Sequence, residues 1–285
     1  MKKLGLFLIL LTASRLGAAQ NKNEVTVCHT SAIEKFAVFA SNRNFNSEHP
    51  APRAYVHISL AGGKMIMFKT PDGPDANAYL LEAKTKTNNW IFVFQEWWGL
   101  NDNIKRSSED LYNDLGNVNV IALDMFDGKV ATDPKDAGKY MQEFKQDRGN
   151  SIVKGAVAYV GPDAKIGTVG WCFGGGESMQ AALTVGKQAA ACVIYYGMPE
   201  DKLERLKTLN CDVLDIWGSK DGWINADITK KFEENMKAAG KNLTVKSYEA
   251  DHGFANPSNP MGHFNETAYK DAYKNTIEFF KAKLR

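Results

Sequence analysis

Between residues 164 and 186 the chain runs from an apolar, strand-like segment, AKIGTVG, through Gly170-Trp171-Cys172-Phe173-Gly174 into GGESMQAALTVG, which reads as a helix. A strand that turns into a helix over so few residues closes only if the positions two before and two after the apex are small. Gly170 and Gly174 meet that demand and place Cys172 at the apex, in a strained, positive-φ conformation. The helix would aim its N-terminal N–H groups and the positive end of its dipole at the sulfur, which favours a thiolate. Read alone, the segment is equally a glycine-rich turn holding a buried, inert cysteine.

Two later strand ends separate these readings. VLDIWGSKDGW is an apolar run that ends in a turn carrying Asp221, and VKSYEADHGF is a strand-like run that ends in Asp251-His252-Gly253. Of the histidines at 29, 49, 57, 252 and 263, only His252 directly follows a strand in the order nucleophile, acid, histidine. Asp215 falls inside its strand, and Asp251 points away if its neighbour His252 points in. Three such groups at three strand ends identify Cys172 as nucleophile, Asp221 as acid and His252 as base.

The motifs Gly-Trp-Cys-Phe-Gly-Gly at 170–175, Trp-Gly-Ser-Lys-Asp at 217–221, Asp-His-Gly-Phe at 251–254 and QEWWGLND at 95–102 resemble those of the dienelactone hydrolase family. The resemblance covers about residue 60 to the C-terminus. It implies an α/β-hydrolase fold, with a doubly wound, mostly parallel central sheet of about eight strands flanked by helices. It also implies carboxymethylenebutenolidase-type hydrolysis of small esters or lactones by a Cys-Asp-His triad, with Cys172, Asp221 and His252 in those roles. Glu96 is carried over as the family's strand-end glutamate, which hydrogen-bonds the resting thiol. The residues give Glu96 a case of their own. It follows the apolar run IFVF, where partial desolvation raises a carboxyl pKa and suits it to accept a thiol proton. The alternative is a solvated glutamate capping the helix that begins near Asn101 or Asp102. The oxyanion of a tetrahedral intermediate would sit between the backbone N–H groups of Phe173 and Trp97.

The family holds a substrate carboxylate with arginines, one of them four residues after the catalytic histidine. Here that position is Asn256, and of the seven arginines only Arg148, on a helix predicted over 136–159, is another candidate. Without a bidentate arginine an anionic substrate loses a charge-assisted anchor, so neutral short-chain esters or lactones are expected to react at least as well as dienelactone. Trp97, Trp98, Trp171, Phe173 and Phe254 predict an aromatic-walled pocket, with Trp98, Phe254 and Asn256 facing substrate; ordinary core packing is the alternative, above all for Trp171. There is no His-Glu-x-x-His, no phosphate-binding Gly-Lys-Ser/Thr and no Cys-x-x-Cys, and no cofactor or metal is expected.

At the N-terminus Met1-Lys2-Lys3, the apolar run LGLFLILLTA and Gly17-Ala18-Ala19 have the form of a secretory signal over residues 1–19, too short to span a bilayer. The mature protein would be periplasmic or extracellular, with no membrane anchor. Loss of Lys2, Lys3 and Arg15 changes the formal net charge from +2 to −1, which removes any argument for nucleic acid as a partner. A working Cys172 must stay free, so Cys28, Cys192 and Cys211 allow at most one disulfide; Cys192 and Cys211 open runs that could be neighbours, and two buried thiols are the alternative. Residues 20–59 form an extension, with a helix over SAIEKFAVFAS, ahead of one domain at 60–285. Strands are predicted near 64–69, 76–82, 90–95, 118–123, 164–170, 190–196, 212–217 and 244–249. Two other functions fit the same fold. One is a non-catalytic binding protein, whose usual signature is a lost triad member. The other is a prolyl-oligopeptidase-like peptidase, which uses serine and carries a propeller or large cap. The sequence leaves the oligomeric state open.

Overall fold

In the computed structural model, which describes residues 32–258 and 263–285, eight strands form one sheet. They are β1 (Lys64–Phe68), β2 (Ala76–Leu81), β3 (Asn89–Phe94), β4 (Asn119–Leu123), β5 (Lys165–Trp171), β6 (Ala189–Tyr195), β7 (Asp212–Gly218) and β8 (Leu243–Tyr248). The order across the sheet is β1-β2-β4-β3-β5-β6-β7-β8, with β2 antiparallel to both its neighbours, β1 and β4, and every other pairing parallel. This is the α/β-hydrolase arrangement. β3 and β5 lie side by side with Phe94 opposite Gly170, and β7 and β8 with Gly218 opposite Tyr248. The loops that follow those strands therefore open on one edge of the sheet, the usual place for a site in a parallel α/β fold.

Helices cover both faces: α3 (Asp102–Leu115), α4 (Pro134–Glu143), α5 (Gln146–Val160), α6 (Phe173–Val185), α7 (Leu203–Leu206), α8 (Ala226–Ala238) and α9 (Glu266–Lys283). The single helix expected over 136–159 is two. Phe144 and Lys145 are extended, and the Phe144 ring packs 5.1 Å from that of Phe173, a tertiary contact that overrides helical propensity. Asn101 Oδ1 accepts the Ile104 N–H at the start of α3, so Glu96 is not that helix's cap.

The described part of the extension packs on the domain. It contributes α1 (Ala32–Ala40) and α2 (Arg43–Glu48), whose Phe36 and Phe45 are fully buried, and a segment tied down by Glu109. That carboxylate accepts the N–H groups of Leu60 and Ala61 at 2.9 and 3.0 Å and the Ser59 hydroxyl at 2.7 Å. Cys192 and Cys211 are both unpaired and buried, and burial pushes the Cys192 thiol up to about 11. Cys28 and the expected signal lie outside the described residues, among which no helix is long and apolar enough to cross a membrane.

Candidate active site

Cys172 has φ 57° and stands between the end of β5 and the first residue of α6. That conformation costs a non-glycine residue about 1–3 kcal/mol, held in place by the surrounding packing. A Cβ on Gly170 would lie 2.0 Å from the Gly174 carbonyl oxygen, and one on Gly174 2.3 Å from that of Phe94. The strand, the helix and β3 meet at this spacing only because both positions are glycine. The Cys172 N–H donates to Tyr195 O at 3.0 Å, fixing the turn to β6, and the Phe173 N–H is directed at the sulfur.

His252 Nδ1 and Asp221 Oδ2 are 2.7 Å apart, with both side chains buried. The other carboxylate oxygen, Oδ1, accepts the N–H groups of Trp223 at 2.8 Å and Ile224 at 2.9 Å, so the loop after β7 clamps the acid in one orientation. Neither competing aspartate occupies this place: Asp215 lies within β7 and Asp251 is exposed. Burial opposes charge on the imidazole, but Asp221 and Cys172 outweigh it and hold its pKa well above the ordinary histidine value. Burial likewise pushes the Cys172 thiol up, and the His252 imidazolium pulls against it. His252 Nε2 faces the Cys172 thiol and has no other hydrogen-bond partner among the described residues.

Glu96 sits just beyond β3, and burial raises its carboxyl to about 7 against the pull of His252 and Asn256. Its hydrogen-bond partner is Asn256 Nδ2 at 2.7 Å, rather than the thiol that the resemblance implied. Asn256 is itself fixed, its Oδ1 accepting the Ser258 N–H at 2.9 Å. The amide at the position of the expected arginine thus holds the glutamate. Arg148 is no substitute clamp, because its guanidinium is engaged by Asp127 and Asp72 at 2.7 and 2.8 Å.

Trp97, Trp98, Glu96, Asn256, His252 and Cys172 line one cavity. Phe254 does not reach it: fully buried, it packs 5.6 Å from Tyr196 and 5.4 Å from Tyr248 as a core residue. The Phe173 ring also turns inward, 5.1 Å from Phe126. Trp171 packs on Tyr195 and lines a neighbouring cavity that shares Glu96 and Asn256. Three further residues escaped the sequence reading. His49, from the extension, lines the cavity at Cys172. Tyr196, at φ 38° and 5.0 Å from the His252 ring, and Arg106, stacked on Tyr55 at 5.0 Å, line the neighbouring one. The cavity at Cys172 has room for about 20 Å³, roughly one water molecule. Cys172 is 2% exposed, so its side chain is shielded from bulk solvent.

The sequence profile of the dienelactone hydrolase family matches residues 76–284. The chain belongs to this family. It is a carboxylic ester hydrolase of the dienelactone hydrolase type. Protein usf of Aquifex pyrophilus is 29% identical over 78% of this chain and 99% of its own length. A protein of Aquifex aeolicus strain VF5, provisionally named a carboxymethylenebutenolidase, is 26% identical over 78% of this chain and all of its own. Among solved structures, a dienelactone hydrolase-like promiscuous phosphotriesterase from metagenomic libraries superposes with a TM-score of 0.68 at 19% identity, covering 78% of this chain and 99% of that one. An esterase of Pyrococcus furiosus superposes at 0.60 and 14% identity, over 82% and 99% of the two chains. At those identities the structures speak for the fold.

Proposed function

We propose that this dienelactone hydrolase family member is an exported hydrolase of small carboxylic esters or lactones that works through a thioester on Cys172. The observation that carries this reading is the 2.7 Å pair of His252 and Asp221 beside a strained cysteine whose sulfur faces the Phe173 N–H. His252 Nε2 takes the thiol proton, and the thiolate adds to the ester carbonyl, forming a carbon–sulfur bond. Negative charge moves to the carbonyl oxygen, which the backbone N–H groups of Phe173 and Trp97 receive. The intermediate collapses, the alcohol leaves with the proton from His252, and a thioester remains. Water then gives a proton to His252 and attacks the thioester; the acid product leaves and Cys172 regains its proton. Asp221 holds the imidazole with its proton on Nδ1 throughout and stabilises the imidazolium.

Neutral substrates suit the site better than anionic ones, since Asn256 is bound to Glu96 and Arg148 to two aspartates. Turnover of short-chain 4-nitrophenyl esters, with and without iodoacetamide, tests the reaction. Activity should vanish on alkylation and in Cys172→Ala, remain weak in Cys172→Ser, and leave an acyl adduct on Cys172 visible by mass spectrometry of quenched enzyme. Unchanged turnover in Cys172→Ala would remove the basis of the scheme. Export rests on residues 1–19, and N-terminal sequencing of the mature protein should find a start at or near Gln20.

A further inference from the structure

The wall of the nucleophile's cavity includes a histidine from outside the matched family segment, which begins at residue 76. His49 follows α2 directly, and its ring stacks on that of Phe45 with centroids 3.9 Å apart. It stands edge-on to His252 at 5.0 Å and to Trp97 at 5.8 Å. These contacts leave the ring little rotational freedom. Nδ1 lies 2.6 Å from the Phe45 carbonyl oxygen. A carbonyl only accepts, so Nδ1 carries the proton and Nε2, on the other side of the ring, keeps its lone pair. Burial and the neighbouring His252 hold the ring's pKa down to about 3, which keeps it neutral under ordinary conditions.

Among the other polar groups of this cavity the Trp97 indole N–H is unpartnered, but it is a donor and not an acceptor. Cys172 and His252 exchange the reacting proton, and Glu96 is bound to Asn256. The His49 ring hydrogen-bonds through Nδ1, which leaves the Nε2 lone pair for a ligand. Nε2 is a neutral, fixed acceptor beside the nucleophile, suited to an O–H donor and unable to pair with a carboxylate. His49 and Cys172 line the same small cavity, so a donor that reaches His49 from a substrate on the sulfur must be attached close to the scissile carbonyl.

We infer that His49 is a specificity-determining residue of the ester-hydrolase site proposed above, on which this inference rests. Its Nε2 accepts a hydrogen bond from a hydroxyl next to the scissile carbonyl, and the preferred substrates are hydroxy esters or hydroxylated lactones. The extension delivers this contact as it folds over the site.

The test compares methyl lactate, each enantiomer separately, with methyl propionate, following acid release by pH-stat. The wild-type enzyme should favour one lactate enantiomer by about tenfold in kcat/KM, the effect of one hydrogen bond made to a buried acceptor. In His49→Leu the ratio should fall towards one, with the change carried by KM of the lactate. His49→Gln, whose amide oxygen also accepts, should restore part of it. Equal turnover of lactate and propionate by wild-type enzyme would overturn the role of His49 while leaving the ester-hydrolase reading intact. So would a His49→Leu enzyme that loses both activities in the same proportion, the sign of a purely structural residue. Failure of the wild-type enzyme on both esters and on 4-nitrophenyl esters would sink the ester-hydrolase reading itself.

Discussion

Asp221→Asn is the substitution whose outcome the geometry dictates most tightly. The variant keeps the shape of the side chain and changes one oxygen to an NH₂ group. Which oxygen changes is decided by the loop, because Oδ1 accepts two backbone N–H groups, from Trp223 and Ile224. An NH₂ group there would face two donors, so the amide oxygen stays and the NH₂ points at His252 Nδ1. That nitrogen must then accept, which moves the imidazole proton to Nε2. In this tautomer the ring cannot take the thiol proton. The corresponding exchange in the serine protease triad lowers kcat by about 10⁴-fold, or about 5 kcal/mol in the barrier.

We expect Asp221→Asn to lose about three to four orders of magnitude in kcat/KM while melting within a few degrees of the parent. Asp221→Ala should lose comparable activity and also stability. It strands two buried N–H donors, each costing about 1–3 kcal/mol. Steady-state turnover of a 4-nitrophenyl ester and thermal unfolding measure the two effects, and the imidazole ¹⁵N shifts report the tautomer. An Asp221→Asn enzyme that keeps more than about a tenth of its activity would refute the reasoning, as would an Asp221→Ala enzyme of unchanged stability.

Two other outcomes follow from groups outside the triad. Glu177 is fully buried on α6, with one oxygen accepting from Gln146 and the other unpartnered, and burial lifts its carboxyl to about 8. A raised folded pKa means stability that is present below the ordinary value of 4.5 and lost as pH rises towards 8, at about 1.4 kcal/mol per unit. Glu177→Gln should therefore unfold like the parent at pH 4 and be several kcal/mol more stable at pH 8, and a pH-independent difference would contradict this. The extension is latched by Glu48, whose Oε2 accepts the Trp223 indole N–H at 2.8 Å. Glu48→Ala removes a bond worth about 1 kcal/mol, so iodoacetamide should alkylate Cys172 about fivefold faster; an unchanged rate would mean that the extension does not gate the sulfur.

What the sequence made legible was local. Strand ends, the spacing of Gly170 and Gly174 about Cys172, and the order of Asp221 and His252 along the chain are all consequences of short-range sterics and strand alternation. The strands observed match the eight expected within a residue or two. What stayed hidden depends on contacts between distant segments. Glu96 and Asn256 are 160 positions apart, and no local pattern announces that one amide will hold the glutamate. Arg148 looked free because the groups that engage it, at Asp72 and Asp127, come together only when the β1–β2 turn folds against α5. Phe254 has the composition of a pocket residue and is core, because the turn after His252 directs its ring at Tyr248. The extension had no motif at all. Its α2 helix is polar in sequence apart from Phe45, the ring that packs against Trp97, Trp223 and His49.

The charges of the site form a single balance. Cys172, Glu96 and Asp221 are three potential anions around one imidazole, in a space with room for about one water molecule. Asp221 has its charge satisfied by two backbone N–H groups as well as by His252. The remaining positive charge can be shared with either the thiolate or Glu96. An ionised Glu96 raises the thiol, and burial raises it further. Burial sets Glu96 at about 7, so its charge changes near neutral pH. Protonation of Glu96 removes a negative charge from beside the sulfur and eases ionisation of the thiol; an ionised Glu96 opposes it. Asn256 acts on this balance by stabilising the ionised carboxyl, which an arginine at the same place would do more strongly. Under the proposed mechanism, an asparagine in place of an arginine therefore bears on more than substrate charge: it leaves Glu96 protonated to a higher pH than an arginine would, and the thiol beside it easier to ionise.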